Sequence, residues 1–194
     1  NPTGTLAGAI TAFRTYAAQR MVREEIMERA ERTLTACLMR GTVAIRSHAN
    51  VDPTLGIRGV EALLELRERW HDRMQLQVIA LLTGTGARNL AAARAWVQAA
   101  LEAGADGVGG TPALADDPPA FLDLLFSAAE HSGRYLDLHL DEHLDASRHH
   151  VAQVIERTRV LGLQGRVVAS HCSVLSALPL DEAQRLIAGF ATAG

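Results

Sequence analysis

Aromatic residues make up only 4% of this 194-residue chain. That is too few for the stacked-base platforms of single-strand nucleic-acid binders. Charge of one sign is also lacking. The 19 Lys and Arg stand against 22 Asp and Glu, a net charge of −3, so no attraction to nucleic acid or an anionic membrane is expected. The two cysteines, Cys37 and Cys172, have no CxxC spacing. Free thiols in a reducing, cytoplasmic setting are the expectation. No apolar run approaches the roughly 20 residues of a membrane span.

What is present is a repeat: an amphipathic helix, a glycine, then a short apolar strand. The spacing of Ile26, Ala30, Leu34, Cys37 and Leu38 predicts a helix over Glu24–Arg40, stopped by Gly41 before a strand over Thr42–His48. Further helices are expected over Leu6–Arg20, Gly59–Trp70, Leu90–Ala103, Pro119–His131, Ala146–Leu161 and Leu180–Ala191. Strands are expected over Leu76–Leu81, Asp106–Gly109, Tyr135–Asp141 and Arg166–His171. Five strands alternating with helices imply a parallel sheet with right-handed crossovers. The architecture is either an open doubly wound sheet or a closed eight-stranded α/β barrel of the TIM type.

Strand polarity favours the barrel. A parallel strand covered on both faces reads as almost wholly apolar. Here Asp137, His139 and Asp141 alternate with Leu136, Leu138 and Leu140, and Arg46 and His48 oppose Val43 and Ile45. His171 shares the parity of Val167 and Ala169. Each polar group sits late in its strand, where a barrel has its active-site mouth. Unpaired burial would cost several kcal/mol per group, so these residues should converge on one another, on a metal or on a ligand.

His139-Leu140-Asp141-Glu142 carries the clearest chemistry. A neutral imidazole suits zinc or iron, and a carboxylate just beyond the strand can move a proton. Ser170-His171 fails as a nucleophile pair, because strand neighbours face apart. An ion pair of Arg46 with Asp52, organising the loop after His48, is the plain structural alternative for that stretch. Gly84-Thr85-Gly86-Ala87-Arg88-Asn89 lacks the third glycine of a dinucleotide fingerprint. Gly107-Val108-Gly109-Gly110 reads as a place of close backbone approach. His143, His149 and His150 read as solvated, and Cys172 as a small core residue.

Arg46-Ser47-His48-Ala49-Asn50-Val51-Asp52, Leu76–Ala80, Gly104–Gly110, Asp137–Glu142 and Gly165–His171 occur in an order and spacing that resembles the cytosine deaminase branch of the amidohydrolase superfamily. The resemblance implies a (β/α)8 barrel that hydrolyses C–N bonds, often removing an exocyclic amine from a pyrimidine, purine or triazine ring. It implies His139 as a metal ligand, Glu142 as the acid/base and His171 as the residue that orients the attacking water. It also implies one divalent metal, zinc or iron. By the same resemblance, a His-x-His ligand pair would precede Asn1 and an Asp ligand would follow Gly194. The chain, which starts at Asn1-Pro2 without Met, then reads as residues 1–194 of a longer barrel, without strands one, seven and eight. A single matched histidine cannot hold the metal, since catalytic sites use about three protein ligands.

Two departures bear on specificity. Leu82-Thr83 stands where cytosine deaminases carry Pro-Gln, and Pro112-Ala113 where many relatives carry Pro-His. A site built to hydrogen-bond one ring edge discriminates strongly, so these changes move the expectation away from cytosine itself. His48 and Thr83 are the candidate substrate-binding residues. The expected partner is a small molecule, with no nucleic acid and no membrane; assembly with copies of the same chain is compatible. The isolated chain is expected to be inactive. The rival expectation is a non-catalytic binding or assembly protein on a degenerate barrel.

Overall fold

The computed structural model describes residues 4–83 and 85–194. Two helices open the chain, α1 (Leu6–Arg20) and α2 (Arg23–Leu38). Strand β1 (Ala44–Val51), α3 (Arg58–Trp70) and β2 (Gln75–Leu82) follow, then α4 (Thr85–Arg88) and α5 (Leu90–Ala103). After them come β3 (Gly107–Gly110), α6 (Pro118–Ser132), β4 (Tyr135–Leu140), α7 (Val151–Val160), β5 (Val167–His171) and α8 (Leu180–Ala193). Short 3-10 turns cover Pro112–Leu114 and Ser173–Ala177. Among the described residues no helix is long and apolar enough to cross a membrane.

The five strands are parallel and lie in chain order, β1-β2-β3-β4-β5. A doubly wound sheet reverses its strand order partway, and this one does not. The sheet also curls. At a strand spacing of about 4.8 Å, a flat sheet would hold β1 and β4 about 14 Å apart. Yet Arg46 Nη1 on β1 lies 3.0 Å from Asp137 Oδ2 on β4. The rings of His48 and His139 on the same two strands have centroids 5.0 Å apart. Only a sheet bent toward the face that carries these residues can make both contacts. The chain is thus a parallel α/β half-barrel, an arc of a TIM-type barrel.

The convex face carries the core. Val51, Val78, Ala80, Leu82, Val108, Leu136, Leu138 and Leu140 join residues of α3, α5, α6 and α7 in one buried cluster. Burying a Leu or Val side chain contributes about 1.5–3 kcal/mol, so this cluster is the main stabiliser of the arc. The concave face holds Arg46, His48, Gln77, Asp137 and His139, in the alternate register.

Strand β3 shows why the sequence has Gly107, Gly109 and Gly110. A Cβ on Gly109 would lie 1.9 Å from the Asp137 carbonyl oxygen, and one on Gly107 would meet Tyr135 O at 2.6 Å. On the convex side, a Cβ on Gly110 would meet Phe121 Cζ at 2.6 Å. The close approach expected from the sequence is present.

Several boundaries differ from the sequence expectation. Strand β1 runs to Val51, because Asn50 and Val51 still pair with Leu81 and Leu82. Helix α7 starts at Val151, five residues later than Ala146. Asp145 instead forms a turn, accepting from the Ser147 N–H at 3.0 Å, and the Asp141 carboxylate holds His150 at the helix start. Arg46 does not pair with Asp52. It donates to Gln77 Oε1 at 3.0 Å and to Asp137, while Asp52 accepts from the Thr54 and Leu55 N–H groups of its own loop. Gly84, first residue of the discounted fingerprint, lies outside the described residues.

Candidate active site

The site begins with a row of imidazoles at the C-terminal end of the sheet. His48, His139 and His171 come from β1, β4 and β5. The His48 and His139 rings meet edge-on, and so do those of His139 and His171, whose centroids are 4.9 Å apart. Glu142 follows β4, and its carboxylate lies 3.8 Å from His171 Nε2. Potential ligand atoms of His139, Glu142 and His171 lie within 4.8 Å of one another. A tetrahedral metal with bonds of about 2.1 Å needs donors roughly 3.4 Å apart, so small side-chain rotations would bring this trio to bonding geometry.

Electrostatics prepare His139 for such a role. Burial pushes its pKa below 6.5, and the neighbouring His48 and His171 push the same way. The ring is therefore neutral at neutral pH, the form that binds metal. Beneath the histidines lies a polar layer. Burial works to raise the Asp137 carboxyl, but the adjacent His48 and Arg46 outweigh it and hold the pKa below 3.8. Arg46 also lies over the Tyr135 ring, 4.8 Å from its centroid. His48 Nε2 is 3.2 Å from Asp137 Oδ1, yet the two atoms are not aligned as a hydrogen bond, and both are buried without another partner.

His171 reaches the site by a route that strand alternation did not foresee. The register pairs Leu136 with Val167 and Leu138 with Ala169, so the parity assigned to His171 points to the convex face. Its backbone is left-handed, φ 65°, and this twist at the strand end turns the imidazole toward His139. Ser170 makes no hydrogen bond with His171 among the described residues. Thr83 sits just past β2 at the same end of the sheet, with its carbonyl accepting from the Gly86 N–H at 3.0 Å. No hydrogen bond ties its side chain to the histidines among the described residues.

Asp141 also departs from expectation. It does not join Asp137 and His139 on the concave face. Its backbone is left-handed, φ 48°, and its wholly buried carboxylate turns to His150. His150 is accordingly not solvated; its side chain is 12% exposed, and those of His143 and His149 are 25% and 18% exposed. Cys172 is half-buried against the core, and burial pushes its thiol up to about 11, which makes it inert.

No protein-family model matches the chain. Individual relatives do. The chain is 30% identical over 176 residues, 91% of its length, to pterin deaminase of Rhizobium rhizogenes, of which it covers 40%. It is 29% identical over 151 residues, 75% of its length, to N-isopropylammelide isopropyl amidohydrolase of Pseudomonas sp. (strain ADP), of which it covers 37%. Among solved structures, it matches 5-methylcytosine deaminase from Klebsiella pneumoniae liganded with 5-fluorocytosine, with a TM-score of 0.88 and 25% identity. That match takes in 98% of this chain and 46% of the other. The chain thus spans about two fifths of the length of the curated relatives it matches. Sequence likeness and backbone likeness agree over nearly all of its residues, and the chain belongs to the deaminase branch of the amidohydrolase superfamily.

Proposed function

We propose that the whole protein hydrolyses a C–N bond of a small nitrogen heterocycle, most simply by removing an amine from a pyrimidine-, purine- or triazine-like ring. The observation that carries this reading is the convergence of His139, Glu142 and His171 at the C-terminal mouth of the half-barrel. The named activities of the relatives, on a pterin, a triazine and a cytosine, support the substrate class.

Each residue has a distinct task. His139, neutral and half-buried, offers a nitrogen donor to one divalent metal, zinc or iron. Such a metal lowers the pKa of water toward 7 and so supplies a nucleophile at neutral pH. With Glu142 and His171 kept free, one imidazole is fewer than the usual three protein ligands, and the remainder would come from parts of the protein beyond this chain. Glu142 takes the proton of the attacking water and delivers it to the departing amine. His171, 3.8 Å from Glu142, orients that water. His48 and Thr83 contact the ring from the β1 and β2 side.

The test is release of ammonia or alkylamine by the full-length protein, supplied with zinc, iron or manganese, across a panel of aminated heterocycles. Glu142→Gln is expected to lower turnover about 10²–10⁴-fold. Full activity in Glu142→Gln would remove this assignment.

A further inference from the structure

Asp141 is an expensive residue. A non-glycine residue in the left-handed region is uncommon, and a carboxylate buried without partners is costly. The structure retains both features and gives the carboxylate two strong partners. Asp141 Oδ2 accepts from the His150 backbone N–H at 2.7 Å, and Oδ1 accepts from His150 Nδ1 at 2.8 Å. His143 Nε2 stands 3.8 Å from the same Oδ1. The Asp141 carbonyl also accepts from the Val174 N–H at 3.3 Å, and that of Leu140 from the Cys172 N–H at 2.9 Å. The backbone just before Glu142 is thus held from two sides, by the start of α7 and by the turn that follows β5.

The location gives this arrangement its meaning. Strands β4 and β5 both leave the sheet through left-handed backbone, at Asp141 and at His171-Cys172. These two breaks set Glu142 and His171 facing one another. A carboxylate at the end of a free loop would sample many positions; the Asp141–His150 contact removes that freedom one residue away.

We propose that Asp141 and His150 form a positioning clamp that fixes Glu142 against His171, so that the pair governs turnover rather than substrate affinity. Neither residue touches the reacting atoms. His150 acts as the donor, with the proton on Nδ1 facing the carboxylate. This inference rests on the reading of Glu142 as the acid/base.

The experiment uses the full-length, metal-loaded protein with His150→Ala, His150→Asn and Asp141→Asn. Asparagine places an amide N–H close to where Nδ1 stands. His150→Ala is expected to lower kcat about 10- to 100-fold, the scale of an ångström misplacement, with KM within about twofold and metal content unchanged. His150→Asn is expected to restore most of kcat, and Asp141→Asn to behave like His150→Ala. Hydrogen exchange, read on peptides spanning 139–143, gives a measure independent of activity; it is expected to speed up in His150→Ala while peptides from β1 and β2 stay protected.

An unchanged kcat in a folded His150→Ala protein overturns the clamp, even if exchange quickens. So does failure of all three variants to fold, which would make the pair a folding determinant only. If the wild-type protein releases no amine from any ring but exchange responds as expected, the anchoring of Glu142 stands and the functional reading falls.

Discussion

Leu138 and His139 are adjacent in the chain and belong to two different regimes. On the convex face, Leu136, Leu138 and Leu140 are wholly buried against the helices. On the concave face, Asp137 and His139 meet Arg46, His48 and His171 across the curve of the sheet. The first face is held by area removed from water, which is tolerant of detail and sums over many contacts. The second is held by pairs of polar groups whose value depends on each partner being in place. One strand thus separates stability from chemistry by the alternation of its side chains.

Substitutions can break this division or sharpen it. The largest expected effect is on the concave face: His139→Ala in the full-length protein should lower turnover at least about 10³-fold through loss of the metal, with metal content measured alongside. The chemical denaturation midpoint, compared between metal-free proteins, should hardly move. One residue back, Leu138→Ala should cost about 2–5 kcal/mol of stability, read by urea unfolding, while turnover per folded molecule persists. If the two variants exchange these phenotypes, the division fails. Gly109→Ala should cost about 3 kcal/mol, since its new methyl meets the Asp137 carbonyl from the concave side.

The smallest effect concerns pH, in metal-free protein. Burial and the adjacent histidines lower the His139 pKa, so the unfolded chain binds its proton more readily than the native one. Stability should therefore fall as pH drops through the ordinary value near 6.5. His139→Gln should flatten that slope. Asp137 acts lower on the scale. Its pKa is held below 3.8, so its contribution is present above that value and is lost as pH falls through the lowered one. A steeper slope in His139→Gln between pH 7 and 5.5 would contradict the assignment.

Much of this was legible in the sequence, for reasons that can be named. The strand alternation of Arg46 and His48, and of Asp137 and His139, is a local pattern, and local patterns survive folding. The glycines of β3 signalled close packing. Strand parity groups His171 with His139 by the wrong physics, because that parity points outward and a left-handed backbone turns the ring in. Nothing in Ser-His-Cys-Ser announces a positive φ. Asp141 and His150 do not read as a pair because eight residues of loop separate them, and tertiary hydrogen bonding overrides the helical tendency of Ala146–His150. A histidine whose neighbours are polar looks solvated until its partner is known.

Strand β3 offers no side chain on the concave face at Gly107 or Gly109, yet it stands between the strands that carry His48 and His139. Its bare backbone leaves room for the Ile79 and Leu81 side chains of β2 and for the backbone of β4 at Tyr135 and Asp137. A side chain at Gly107 or Gly109 would have to displace Tyr135 or Asp137, and with them the strand that carries His139.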